Sequence, residues 1–199
     1  MTQKNWKICM EKQLEPILKS PNSSTGLSTY SDMPFGIFLY PPSDEWELRQ
    51  SLKDLIVRLE NTGKTIQRLS IAKLIEKSLQ KAGLSIEEVA QAEIDMGIEI
   101  VRDTFRDILS GHAAGSTPLD KLVAEEVERD KPTSNHIIFI ERVGTLYGFH
   151  RPSALLENLH HKVKNPVVLF YPGHQDGPAG LRFMGEAEAD HNYRPKLFA

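Results

Sequence analysis

Several short stretches of this chain carry residue types that could do chemistry. Gly63-Lys64-Thr65 is the tail of a phosphate-binding loop, in which glycine amides cradle a phosphate and a lysine neutralises it. The full signature asks for a glycine five residues before Gly63, and that position is Arg58. The polarity is also reversed. A phosphate loop follows a strand and opens a helix whose amides face the anion, whereas this triplet follows a helical pattern and opens a strand. Gly63 is therefore read as a left-handed helix cap, and Lys64 as a surface lysine.

Pro41-Pro42-Ser43-Asp44-Glu45 lies in the productive place, between strand and helix. It has no glycine to bring backbone close to a phosphate, and its acids repel anions. Ser43 is placed to cap the helix, with Asp44 and Glu45 in its first turn. Glu141 and Arg142 directly follow one apolar run, and His174 and Asp176 follow another. His160 and His161 are adjacent, so on a helix they point about 100° apart and do not readily chelate one metal. No metalloenzyme spacing and no serine, cysteine or lysine nucleophile pattern occurs. The residues thus predict no catalytic group, no cofactor and no metal. Ser43, Asp44, Glu141, Arg142, His174 and Asp176 remain as a candidate polar cluster, in which Arg142 is expected to pair with Asp44, Glu141 or Asp176.

The elements that must position this cluster are legible from periodicity. Gly36 to Tyr40, Ile137 to Ile140 and Val167 to Tyr171 are continuous apolar runs, the habit of strands covered on both faces of a parallel sheet. In such sheets ligands gather beyond the carboxyl ends of the strands. The segment after Tyr171 reads as a turn, Pro172 to Asp176. Leu48, Leu52, Leu55, Ile56 and Leu59 form one helical stripe, ended by Asn61-Thr62-Gly63. Thr65 to Leu69 is a second strand, so residues 36 to 69 predict a βαβ unit.

Residues 71 to 129 read as an inserted helical segment. It comprises a helix from Ile71 to Gln80 and a longer one to Leu109, opened by the capping box Ser85-Ile86-Glu87-Glu88. The long helix has Ile86, Val89, Ile94, Ile98, Val101, Phe105 and Ile108 on its apolar side. A third runs from Pro118, capped by Thr117, to Arg129. Pro152 opens a helix with Leu155, Leu156 and Leu159 inward, and Leu181 to Met184 is the last edge strand. Residues 1 to 19 predict a helix with Trp6, Ile8, Cys9, Leu14 and Leu18 apolar. Lys19 to Pro34 predicts a loop, and Asp190 to Ala199 a tail anchored by Tyr193 and Phe198. The expected architecture is α/β, a three-layer Rossmann-like fold with a mostly parallel sheet of about four or five strands and the inserted helical middle. It forms a single domain over residues 1–199, with a helix and loop over 1–34 and the sheet over 35–199.

Composition narrows the function classes. Hydrophobic content of 40% and charged content of 26% are those of a globular protein in water. A formal charge of −3 lacks the basic footprint of a nucleic-acid binder, so no direct nucleic-acid contact is expected. One cysteine, Cys9, excludes an internal disulfide. The charged N-terminus has no signal-peptide core and no apolar run approaches bilayer length, which predicts a cytoplasmic protein without a membrane segment.

A set of phrases resembles a known family. They are Tyr40-Pro41-Pro42-Ser43-Asp44-Glu45 with Glu47-Leu48-Arg49, Ile140-Glu141-Arg142-Val143-Gly144-Thr145-Leu146-Tyr147, and Ser153 to Leu159. Val168 to Gly173, Leu181 to Gly185 and Asn192-Tyr193-Arg194 complete it. In order and spacing they are similar to the BrxB family of BREX bacteriophage-exclusion systems. The resemblance implies a cytoplasmic component of an antiphage system that methylates host DNA and blocks phage replication. It also implies work beside PglZ, a partner similar to alkaline phosphatases, and beside other BREX components. The reading favoured is a non-enzymatic assembly subunit that binds a PglZ-like partner, with Tyr147, Phe149 and Tyr193 as candidate contacts. The alternative is a small nucleotide-binding or hydrolytic enzyme on the same sheet, and the residues leave both open.

Overall fold

The computed structural model describes residues 5–27, 34–130, 133–159, 162–177, 180–190 and 195–199. Its strands are β1 (Phe35–Tyr40), β2 (Thr65–Ser70), β3 (His136–Glu141), β4 (Val167–Asp176), β5 (Gly180–Phe183) and β6 (Lys196–Phe198). They form one sheet in the order β2-β3-β4-β1-β6, with every neighbouring pair parallel. β5 lies off this path, antiparallel to the outer part of β4. Among the described residues the parallel sheet thus has five strands, within the expected number, and β5 adds a sixth strand outside its path.

Period-two alternation divides the apolar runs between two cores. Phe35, Ile37, Leu39, Ile138, Ile140, Val167, Leu169 and Tyr171 face one side. Phe38, Tyr40, Ile137, Phe139, Val168 and Phe170 face the other. Helix α1 (Asn5–Cys9), α2 (Glu15–Lys19), α3 (Ser23–Leu27) and α4 (Glu45–Glu60) cover the second face. The first face is covered by α5 (Ile71–Lys81), α7 (Ile98–Ser110), α8 (Leu119–Arg129) and α9 (Pro152–Leu159), while α6 (Ile86–Met96) contributes no buried residue and packs its partly buried Val89 against that core. All five apolar residues of the α4 stripe are buried. The result is the expected three-layer, Rossmann-like arrangement.

The connectivity departs from the simple βαβ expectation. β1 and β2 are not neighbours, because β3 and β4 lie between them. The chain crosses from β1 to the far edge over one face, then returns through β3 and β4 over the other. Opposite directions of travel on opposite faces is what crossovers of one handedness require.

Local chemistry explains several further differences. The Lys19 to Pro34 stretch contains α3, and Gly26 sits where a Cβ would approach Ile17 Cγ2 to 2.6 Å. Between α1 and α2 the helix widens into a π turn over Met10–Leu14, and the Glu15 amide reaches back to the Met10 carbonyl. Pro16 follows at once, and the wider turn accommodates a residue that has no amide to donate. Ile8 points to solvent, while Trp6, Cys9, Leu14 and Leu18 are buried; burial also pushes the Cys9 thiol above its ordinary pKa, in keeping with a small core hydrophobe. Ser43 does not cap α4. A 3₁₀ turn over Pro42–Asp44 comes first, and the Ser43 hydroxyl donates to Asp44 Oδ1 at 3.3 Å. Pro118, not Thr117, is the N-cap of α8. The Pro172 to Asp176 segment is not a turn but the continuation of β4 beyond the sheet into a ribbon with β5. The C-terminal tail contains β6, which pairs with β1.

Gly63 does adopt the left-handed conformation, with φ +82°, and a capping role follows. Lys64, however, is buried, and its Nζ donates to the Ser20 carbonyl at 2.7 Å. It ties the loop after α2 to the end of α4. Lys64→Ala should therefore destabilise the protein by about 1–3 kcal/mol in urea titrations, because a part-buried carbonyl loses its charged donor. A loss within about 0.5 kcal/mol, usual for a surface lysine, would show that this contact does not hold the fold.

Candidate functional site

The carboxyl ends of β1, β2 and β3 bring together a polar network on the face covered by α4. Tyr40 ends β1 and Glu141 ends β3 with the parity of Phe38 and Phe139, so both side chains lie on that face. The Tyr40 hydroxyl donates to Glu45 Oε2 in the first turn of α4. Burial, reinforced by the Glu45 carboxylate, raises the Tyr40 pKa far above its ordinary value, so the phenol stays protonated. Glu45 Oε1 lies 3.8 Å from Arg142 Nε. Arg142 is left-handed, with φ +61°, and the kink turns the chain sharply out of β3.

Glu141 is buried, and its carboxylate accepts from Arg68 Nε and Nη2, both at 2.6 Å. Register explains the pair. Arg68 stands opposite Phe139 and Ser70 opposite Glu141, so the two side chains meet on the diagonal of one face. The guanidinium is half-exposed, and its pKa is raised by the hydrogen bonds to Glu141.

The candidate cluster is thus distributed. Glu141 and Arg142 share the mouth with Tyr40, Glu45 and Arg68, none of which belongs to the candidate cluster read from the sequence. Arg142 pairs with Glu45, not with Asp44, Glu141 or Asp176. Asp44 accepts from Trp6 Nε1 at 2.8 Å, tying α1 to the start of α4. Asp176 lies out on the ribbon and pairs with Arg182 at 2.6 Å, and His174 is exposed on the same ribbon. Sequence signals for the missed residues were slight: a tyrosine ending an apolar run, and an arginine interrupting a strand.

The β4–β5 ribbon also fills space at this edge. A Cβ on Gly144, in the turn after β3, would stand 3.3 Å from Met184 Sδ and 3.5 Å from Pro172 Cγ. A Cβ on Gly173 would meet the Arg182 carbonyl oxygen at 2.3 Å, so the ribbon needs glycine there. Met184 and Pro172 thus pack against the turn after β3, beside the carboxyl ends of the strands where parallel sheets bind small ligands. Among the described residues, no group of three or more His, Cys, Asp or Glu could hold a metal ion. No described helix is long and apolar enough to cross a membrane.

A second feature lies at the opposite extreme of burial. The long middle helix expected from sequence is two helices, α6 and α7, broken at Gly97 with φ +89°. The capping box at Ser85 and Glu88 is formed as expected. Yet no residue of α6 is buried, and Ile86, Ile94, Met96, Ile98 and Ile100 are all exposed. Val101, Ile108 and Leu109 of α7 do reach the core. Phe149 stacks on Phe105 of α7 with ring centroids 4.8 Å apart. Tyr147 is exposed, and its hydroxyl donates to Glu186 at 3.1 Å. Tyr193, His160 and His161 lie outside the described residues.

Comparison with known proteins is consistent across two kinds of relative. A family model described as "BREX protein BrxB" matches residues 67–197. The chain is 29% identical over 170 residues to a BREX protein BrxB of Bacillus cereus (strain H3081.97), covering 82% of each chain. It is 26% identical over 148 residues to a BREX protein BrxB of Escherichia coli O9:H4 (strain HS), covering 74% of this chain and 69% of that one. No solved structure matches it.

Proposed function

The chain belongs to the BrxB family and is a BREX system component, and from that premise we propose that it is a non-enzymatic assembly subunit. In this reading it works in the cytoplasm as a single α/β domain and binds a PglZ-like partner within the system. The observation that carries the reading is the α6–α7 hairpin, an eleven-residue helix with no buried residue beside a row of exposed isoleucines. Large apolar side chains grouped on a surface are a liability unless a partner covers them.

The sheet mouth supports the same reading. Its charged groups are committed to one another, Glu141 to Arg68 and Arg142 to Glu45, and Tyr40 is held protonated. An enzyme of the nucleotide-binding kind would need at least one of these groups released toward a substrate, at the expense of an ion pair inside the fold.

The test is co-expression of the tagged chain with the other products of its operon, followed by gel filtration. A stable complex containing the PglZ-like protein is expected. A chain that elutes alone in that experiment would defeat the assembly reading. Magnesium-dependent nucleotide binding in calorimetry, abolished by Arg142→Ala, would favour the enzyme instead.

A further inference from the structure

The α6–α7 hairpin has a shape and a charge that narrow what can cover it. Between the two helices is a groove with a cavity of about 190 Å³, lined by Leu84, Val89, Met96, Ile100, Val101 and Phe105 among others. That is smaller than the roughly 300 Å³ at which small-molecule sites begin, and suited to a few aliphatic side chains. Ile94, 78% exposed, and Met96, 60% exposed, extend the apolar surface outward.

The rim is acidic. From Ile86 to Glu99 the acids are Glu87, Glu88, Glu93, Asp95 and Glu99, with no lysine or arginine, a formal charge of −5. Helical spacing sets Glu88 and Asp95 on one flank of the Val89–Ala92–Met96 stripe and Glu93 on the other. Arg102 offsets only Glu99, at 2.6 Å. The remaining acids of α6 are exposed and have no cation on their own helix.

Resting on the assembly reading, we infer that this groove docks a basic amphipathic helix supplied by a protein partner. Three considerations select that occupant. Two helices offer no free strand edge, so a partner cannot add a strand and must dock by side chains, as a helix in a groove does. A second copy of this chain meeting the same face across a twofold axis would set −5 against −5. Phosphate-bearing surfaces, nucleic acid or anionic lipid, meet the same repulsion. A helix with aliphatic residues at i, i+3 or i+4 and i+7, flanked by Lys and Arg, satisfies both the groove and its rim.

The test uses the complex formed on co-expression with the operon's other products. A photo-crosslinking residue placed at Met96 should attach to a partner segment that is Lys- and Arg-rich and has helical apolar spacing. Ile100→Glu, at a position 49% exposed, should weaken the complex at least tenfold; circular dichroism checks that the helices remain. A complex that forms normally, gives no crosslink at Met96 and ignores Ile100→Glu overturns the groove inference while the assembly reading stands. Crosslinks to an acidic segment, or to another copy of this chain, overturn it as well. Failure of the unmodified chain to form any complex removes the assembly reading itself, and this inference with it.

Discussion

Phe198→Ala should lower the melting temperature by roughly 10 °C. The ring is fully buried in the core beneath α1 to α4, although it belongs to a strand of only three residues, β6. A Cβ on Gly36 would stand 3.0 Å from both Phe198 Cε2 and Leu27 Cδ2, which measures how closely β1, α3 and the ring are packed. Truncating a buried phenylalanine costs about 3–5 kcal/mol, and about 2–4 °C accompanies each kcal/mol in a chain of this size. Lys196→Ala is the control: that side chain is exposed, with Nζ 5.3 Å from the same ring, and should cost well under about 1 kcal/mol. Thermal denaturation of the two variants decides the matter. If both fall by the same small amount, β6 is not anchored through its ring.

The second large effect concerns the Arg68–Glu141 pair, and its direction is asymmetric. Arg68→Ala leaves the Glu141 carboxylate buried, with 8% of its side chain exposed and both guanidinium donors gone. Breaking such a pair from the solvated side should cost about 3 kcal/mol. Glu141→Leu instead leaves a half-exposed arginine that water can serve, so the loss should be smaller by at least about 1 kcal/mol. The double change should recover much of the Arg68→Ala loss, since no buried charge then remains. Urea midpoints for the three variants test this. Equal losses for the two single changes would mean that the carboxylate is effectively solvated and the mouth is open.

The same two residues show how far sequence reaches. That Glu141 ends a buried strand is legible, because Ile137 to Ile140 is a continuous apolar run and the charged residues after it mark its end. That its partner is Arg68, 73 positions earlier, is not legible, because nothing in local spacing records which strands become neighbours. The strand order β2-β3-β4-β1-β6 is of the same kind. Apolar periodicity reports which residues seek burial, not which other element supplies it. Hence the α4 stripe, the Ser85 capping box and the Gly63 cap all follow from the chain itself, as they depend on contacts within a few residues.

Arg142 and Lys64 mark the limit from the other side. Adjacent acids made Asp44, Glu141 and Asp176 reasonable partners for Arg142, yet the left-handed kink at its own backbone and the placement of α4 decide for Glu45. Lys64 reads as a surface cation until α2 is packed beside α4 and presents the Ser20 carbonyl. The α6–α7 hairpin is the most instructive case. By residue type, Ile86, Ile94 and Ile98 belong to a core, and by sequence they extend one apolar side of a single helix. Gly97 breaks that helix, and α6 is left with no buried residue. Sequence by itself therefore determined the layers, most helices and the families of buried residues, through local periodicity. Only tertiary structure decided the ion-pair partners, the strand order and which apolar face stays uncovered, because each depends on segments distant in the chain meeting in space.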